Sequence, residues 1–128
     1  MFTVVVCTPA GYEANHDVYE LKNVETAYSP EKAVEGADVV TTDVWVSMGQ
    51  EEETETRRKR FAKFQVNEEL MAIANKSAIF LHCLPAVRGL EVTDGVIDGA
   101  QSYVFQQSDN RLHAQKAMMS LILDGVLA

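Results

Sequence analysis

Apolar and polar positions along the chain sort into short apolar runs separated by stretches with helical spacing. Thr3–Thr8 (TVVVCT) is a β-branched run closed by Pro9 and Gly11, the pattern of a buried strand and its turn. Ser29, Pro30 and Glu31 predict a helix start, with Ser29 as N-cap and Pro30 at the first helical position, where no N–H is needed. That helix passes through Val34 and Glu35 and ends at Gly36. Ala37–Trp45 (ADVVTTDVW) reads as a strand, Asn67–Asn75 as a helix, and Ala78–Leu84 (AIFLHCL) as a strand stopped by Pro85. Thr93–Ile97 predicts a short helix, Ser102–Gln106 (SYVFQ) a last strand, and Asn110–Leu123 a long amphipathic helix.

Strands alternating with helices imply a parallel sheet, because parallel neighbours need crossover connections and the crossover helices cover the sheet. The expected fold class is therefore α/β, one layer of sheet between helices. A length of 128 residues fits a single domain, 1–128, able to bury roughly two thirds of its unfolded surface. No repeat, low-complexity linker or internal boundary interrupts it. One segment stands apart: Gln50–Lys63 (QEEETETRRKRFAK) is a block of acids followed by a block of bases. On a helix, Glu53–Arg57 and Glu55–Lys59 would be i,i+4 pairs, with the acids at the positive end of the helix dipole. The segment reads either as a solvated helix or as a mobile loop and helix that close over a ligand beside Ser47 and Met48.

Composition changes this picture mainly by exclusion. A hydrophobic fraction of 47% is that of a globular chain. Nineteen acidic against eleven basic residues give a net charge of -8, which offers no basic face for nucleic acid. A small anion is still compatible, since one well-placed Arg dominates a cleft. No apolar run approaches the ~20 residues of a membrane span. The opening MFTVVVCTPAGY lacks the basic and long apolar regions of a signal peptide. No membrane partner is expected. Cys7 and Cys83 are the only cysteines and have no metal-ligand spacing, so two free thiols in a cytoplasmic protein, with no metal and no cofactor, are expected.

In open parallel sheets, ligands bind just outside the carboxyl ends of the strands. The strand from Ala37 delivers Asp43, Trp45, Ser47 and Met48 there; the strand from Ala78 delivers His82, Cys83 and Leu84; the last strand delivers Gln106 to Arg111. A carboxylate, a hydroxyl, a thiol and a guanidinium thus converge on one rim. Singly, each has an ordinary reading. Asp43 could cap a turn, Cys83 could be a small core residue, His82 a satisfied core histidine, and Arg111 the surface partner of Asp109 or Asp94.

The wording of three stretches goes further. DVWVSMG at Asp43–Gly49, HCLP at His82–Pro85 and NRLHAQK at Asn110–Lys116 occur in this order and separation. Together they resemble the ornithine-binding second domain of ornithine carbamoyltransferases. The resemblance extends over nearly the whole chain, from TPAGYE through GADVVTTDVWVSMGQEE and LHCLPAVRGLEVTDGVIDG to the C-terminal helix. It implies a Rossmann-like three-layer fold with a mostly parallel sheet. It also implies transfer of the carbamoyl group of carbamoyl phosphate to the side-chain amine of L-ornithine, a step of arginine biosynthesis. On the matching positions, Asp43 and Ser47 would hold the α-ammonium of ornithine and the Met48 backbone its amino-acid end. Cys83 would lie beside the side-chain amine, the Leu84 carbonyl would meet the carbamoyl group, and Arg111 would bind carbamoyl phosphate.

The chemistry suits these residue types. The amine must lose a proton before attack, which a neighbouring thiol can assist, and the oxyanion that forms needs a fixed cation. The family's carbamoyl-phosphate domain carries a Ser-Thr-Arg-Thr stretch and a His-Pro-x-Gln element, and neither occurs in these residues. The chain by itself is therefore expected to be inactive. The alternative is a non-catalytic fragment that folds, self-associates and at most binds an amino acid weakly. A nucleotide-binding module is disfavoured because no GxGxxG follows any strand. The family's first strand–helix unit is also missing. By resemblance that strand would lie between those matching Thr3–Thr8 and Ala37–Trp45. The two bare edges are expected to pair with each other or to borrow a strand from another copy, so a homo-oligomer is expected.

Overall fold

The computed structural model describes residues 2–46 and 53–125. Its order is β1 (Val4–Val6), α1 (His16–Tyr19), β2 (Val24–Thr26), α2 (Pro30–Val34), β3 (Val39–Thr42), α3 (Thr54–Phe61), α4 (Glu68–Ile73), β4 (Ile79–His82), α5 (Asp94–Ile97) and α6 (Val104–Leu123). A 3-10 turn, Ala62–Phe64, follows α3.

Local chemistry accounts for most of the starts. The Ser29 hydroxyl accepts from the Lys32 N–H at 3.3 Å, with Pro30 opening α2. The Asn67 side chain accepts from the Leu70 N–H at 2.8 Å, and Glu68 and Glu69 sit in the first turn of α4, where the helix dipole favours anions. β3 and β4 pair in parallel, Val39 with Ile79 through Thr42 with His82. Their burial alternates with the pleat, so Val40, Phe80 and His82 point into the core. Around Phe80 and Val92, both fully buried, pack Leu70 and Met71 of α4, Val96 and Ile97 of α5, and Val104 at the start of α6. Among the described residues no helix is long and apolar enough to cross a membrane.

The architecture is α/β with parallel strands, as expected, but five details differ. The strand expected over Ser102–Gln106 is not one. Ser102 makes a single bridge to Phe80, and the chain becomes helical at Val104. The Phe80 N–H donates to Gln101 O and the Tyr103 N–H to Phe80 O, after which the helix-forming run from Gln106 carries α6 onward. The long helix consequently begins at Val104 rather than Asn110, and only Val104 of it is buried. Residues 24–26 form a strand that the pattern did not predict. Thr3–Thr8 contracts to Val4–Val6, with Val4 and Val5 about two fifths exposed. Finally, the sheet is two separate parallel ladders, β1 with β2 and β3 with β4. Direct pairing of β1 with β3, one of the two expected outcomes, does not occur: no backbone hydrogen bond joins them.

Candidate functional site

The adjacent ends of β3 and β4 build the centre of the rim. Thr42 and His82 are register partners, so the next residue on each strand, Asp43 and Cys83, emerges side by side. The Cys83 thiol donates to Asp43 Oδ1 at 3.2 Å, and the same oxygen accepts from the Val44 N–H at 2.7 Å. This contact raises the pKa of the thiol above its ordinary value: a bonded carboxylate opposes formation of a second anion, and partial desolvation and the charge of Asp43 act the same way. The positive charge of Arg111, on α6, pulls in the opposite direction. Cys83 and Arg111 are both exposed. The guanidinium of Arg111 has no hydrogen-bonded partner among the described residues, so the ordinary reading of it as a surface ion pair does not hold. Asp94 bonds Arg88, and Asp109 faces His113 at 3.7 Å.

Beneath Cys83 lies a buried polar pair. His82 and Glu91 are fully buried, with Nε2 and Oε1 3.4 Å apart. The Leu84 N–H donates to His82 Nδ1 at 2.9 Å, which leaves the ring proton for Nε2 on the Glu91 side, and the Val87 N–H donates to Glu91 Oε1 at 2.6 Å. The pair therefore grips both ends of the Leu84–Val87 turn. Leu84 needs that grip because its φ of 54° is a left-handed conformation that side chains with a Cβ rarely adopt. Leu84 and Ala86 pack against the core, and the loop is tied down further by Gln65 Nε2 on Leu90 O at 2.7 Å. Arg88 closes the far side on α5 through Asp98, bidentate at 2.5 and 2.9 Å, and Asp94 at 2.8 Å. His82 is thus a core histidine, as its ordinary reading has it, but its Nε2 has no hydrogen-bond partner among the described residues. Glu91 was missed; its only sequence signal is a lone acid in the apolar stretch GLEVT.

The segment after the rim forms α3 as expected, with Glu53 and Arg57 paired at 2.8 Å. Glu55 pairs with Arg58 at 3.7 Å rather than with Lys59. The helix is not purely solvated. Phe61 stacks edge-on to Tyr12 at 4.9 Å and lies 6.0 Å from Trp45, while Arg57 sits 5.0 Å over the Tyr12 ring. Ser47 and Met48 lie outside the described residues. Asp43, His82 and Cys83 each offer one ligand atom within 4.8 Å of the others, a donor set that suits a zinc-like ion. Nδ1 of the imidazole is already committed to the Leu84 N–H, and Nε2, fully buried, faces Glu91 at 3.4 Å without a hydrogen bond, so the set is not a ready metal site. Two open grooves are lined by neither Asp43, Cys83 nor Arg111. One of about 500 Å³ includes Thr26, Tyr28 and Lys32, and one of about 450 Å³ includes Tyr12, Arg57 and Arg60.

The fold is parallel α/β, with a thiol–carboxylate pair at adjoining strand ends and a guanidinium acting on it that has no hydrogen-bonded partner among the described residues; open parallel sheets as a class bind their ligands at such a rim. The family can be given more closely. Residues 1–122 match the family described as aspartate/ornithine carbamoyltransferase, Asp/Orn binding domain, and the chain belongs to that family. It is 52% identical to an ornithine carbamoyltransferase of Thermococcus kodakarensis, over 96% of this chain and 42% of the relative. Its fold matches the ornithine carbamoyltransferase structure from Pyrococcus furiosus with a TM-score of 0.86 at 51% identity, covering 94% of this chain and 41% of that one. It also matches the anabolic enzyme structure from Campylobacter jejuni, with a TM-score of 0.88 at 35% identity, over 97% of this chain and 44% of that one. The fold is therefore Rossmann-like, and the chain spans about 42% of the length of the curated relatives it matches.

Proposed function

We propose that residues 1–128 form the ornithine-binding unit of an ornithine carbamoyltransferase and act in catalysis only together with a carbamoyl-phosphate-binding domain. The observation that carries this reading is the Cys83–Asp43 contact at the ends of β3 and β4 under the charge of Arg111. With Oδ1 of Asp43 engaged by Cys83 and Val44, Oδ2 is the oxygen left to meet an ammonium group. Asp43 and Ser47 take the α-ammonium of L-ornithine, and the Met48 backbone takes its amino-acid end. The side-chain amine lies against Cys83; as it attacks the carbonyl carbon of carbamoyl phosphate it gives up a proton to the Cys83 sulfur while the thiol proton passes to Asp43, and from there to solvent. The Leu84 carbonyl orients the carbamoyl NH2, and Arg111 holds the phosphate and the developing oxyanion; citrulline and phosphate leave. No metal or organic cofactor enters this scheme, and the reduced cytoplasm suits a working thiol.

The phosphate clamp lies outside these residues, so the lone chain holds both substrates poorly. Its exposed apolar side chains, among them Phe105, Met119 and Ile122 of α6, favour self-association into a homo-oligomer. They equally support the second reading, a folded, self-associating unit that at most binds an amino acid weakly. Titration of the chain with L-ornithine, followed by amide NMR, separates the two. The first reading expects saturable shifts centred on Asp43 and Cys83 that are lost in Asp43→Ala, with those at Cys83 not produced by an amino acid lacking the side-chain amine. Shifts that are absent or scattered over the surface favour the second.

A further inference from the structure

We propose that Glu91 is a positioning residue for the carbamoyl group: through the His82 ring and the Val87 N–H it fixes the direction in which the Leu84 carbonyl points. The role rests on the carbamoyl transfer proposed above. Glu91 is fully buried, and among the described residues no lysine or arginine pairs with it. Arg88 is spent on Asp94 and Asp98. Oε1 of Glu91 accepts from the Val87 N–H at 2.6 Å and lies 3.4 Å from His82 Nε2, while Oε2 is buried without a hydrogen-bond partner. Stability does not explain such a group. Burying a carboxyl costs free energy, and an apolar side chain of similar size in its place is often neutral or better. What the carboxyl supplies is a fixed acceptor. Its own backbone is pinned, since Glu91 O accepts from the Val66 N–H at 2.9 Å and Val92 O from the Gly89 N–H at 2.8 Å.

The Leu84 carbonyl lies between two tethered peptide groups. On one side the Leu84 N–H is held by His82 Nδ1 at 2.9 Å; on the other the Val87 N–H is held by Glu91. The first bond needs Nδ1 as an acceptor, so the ring proton must sit on Nε2, and an acceptor oxygen facing Nε2 favours that tautomer. Both tethers therefore end at Glu91. They matter because Leu84 has a φ of 54°, which a residue with a Cβ adopts only when its surroundings hold it there. A released Leu84 relaxes toward negative φ, and that rotation swings its carbonyl away. The carbonyl is also open: among the described residues no donor reaches Leu84 O, and Leu84 directly follows Cys83 at the rim. A free acceptor held in one direction beside the thiol suits the carbamoyl NH2, and a displacement of about 1 Å costs a large part of the rate. Because Oε1 alone serves both tethers, the amide oxygen of a glutamine in the same place serves equally.

Glu91→Gln and Glu91→Leu separate this role from a merely structural one. In the 128-residue chain, nitrogen-15 NMR of the imidazole reads the His82 tautomer, and the amide spectrum reads Leu84 and Val87. Glu91→Gln should keep the Nε2–H tautomer and the downfield Val87 amide of a short hydrogen bond. Glu91→Leu should shift the Leu84 and Val87 amides and mix the tautomers. Turnover is read in a chimera in which this chain follows the portion of the Thermococcus kodakarensis relative that it does not span. There Glu91→Leu should lower kcat and raise KM for carbamoyl phosphate about tenfold, the size of one lost hydrogen bond. KM for L-ornithine should stay close to that of the parent, and Glu91→Gln should resemble the parent throughout. If Glu91→Leu does not fold, Glu91→Met, apolar and flexible, takes its place. Unmoved Leu84 and Val87 amides in the apolar variant overturn the role. So does a kinetic loss that falls equally on both substrates, on ornithine alone or on neither. Glu91→Gln as damaged as Glu91→Leu also overturns it, since charge rather than position would then be what counts. A parent chimera that makes no citrulline overturns the carbamoyl-transfer reading itself, and this role with it.

Discussion

At the residue scale the site turns on which state the Cys83 thiol occupies. The hydrogen bond to Asp43 holds it protonated to higher pH than a free cysteine, and a protonated thiol is a poor nucleophile. Alkylation of Cys83 by iodoacetamide near neutral pH is therefore expected to be slow and to accelerate in Asp43→Asn. Arg111→Ala should slow it further. Equal rates in wild type and Asp43→Asn would show that the contact is not made in solution. Arg88 gives a second titration. Its guanidinium holds the carboxyl of Asp98 below the usual carboxylate range. The folded pKa lies below the unfolded one, so the stabilisation is present above about pH 3.9 and is lost as pH falls through the folded pKa. Both groups are exposed, which makes the effect small. Asp98→Asn should lower the melting temperature slightly at neutral pH, and the difference from wild type should vanish in acid.

At the scale of elements, capping chemistry made α2 and α4 legible. Ser29→Ala or Asn67→Ala should each cost about 1 kcal/mol in urea unfolding, and no change would mean that the caps are not formed. Phe80→Ala, at the centre of the β4 contacts, should cost about 3–5 kcal/mol. The runs VVTT and IFLH announced β3 and β4 because β-branched and aromatic residues suit a pleated surface. They placed Asp43 and Cys83 on one rim, and the parallel pairing of β3 with β4 makes their ends neighbours. β2 was hidden because Val24–Thr26 offers one apolar residue and a charge, and its pairing with β1 is made across 20 residues. SYVFQ misled for the opposite reason: its composition favours a strand, but only Ser102 finds a strand neighbour. Glu91 was invisible for a third reason, since its meaning lies in the His82 ring, which the fold alone brings to it.

At the scale of the whole molecule, the uncovered groups support the proposed unit that works together with a further domain. Among the described residues the rim holds a thiol, a carboxylate and an unpaired guanidinium, while apolar side chains of α6 and one edge each of β1 and β3 lie uncovered. Self-association is the expected consequence of such surface. Sedimentation velocity should show an apparent mass that rises with concentration, and a concentration-independent monomer would refute it. The central claim is tested most directly by a citrulline assay. This chain is joined behind the portion of the Thermococcus kodakarensis relative that it does not span, and the chimera is compared with the chain alone and with Cys83→Ala in the chimera. The expected result is citrulline from the chimera, strongly reduced turnover with Cys83→Ala, and none from the 128-residue chain. Steady turnover by the chain alone, or a folded chimera whose rate ignores Cys83, would contradict the account.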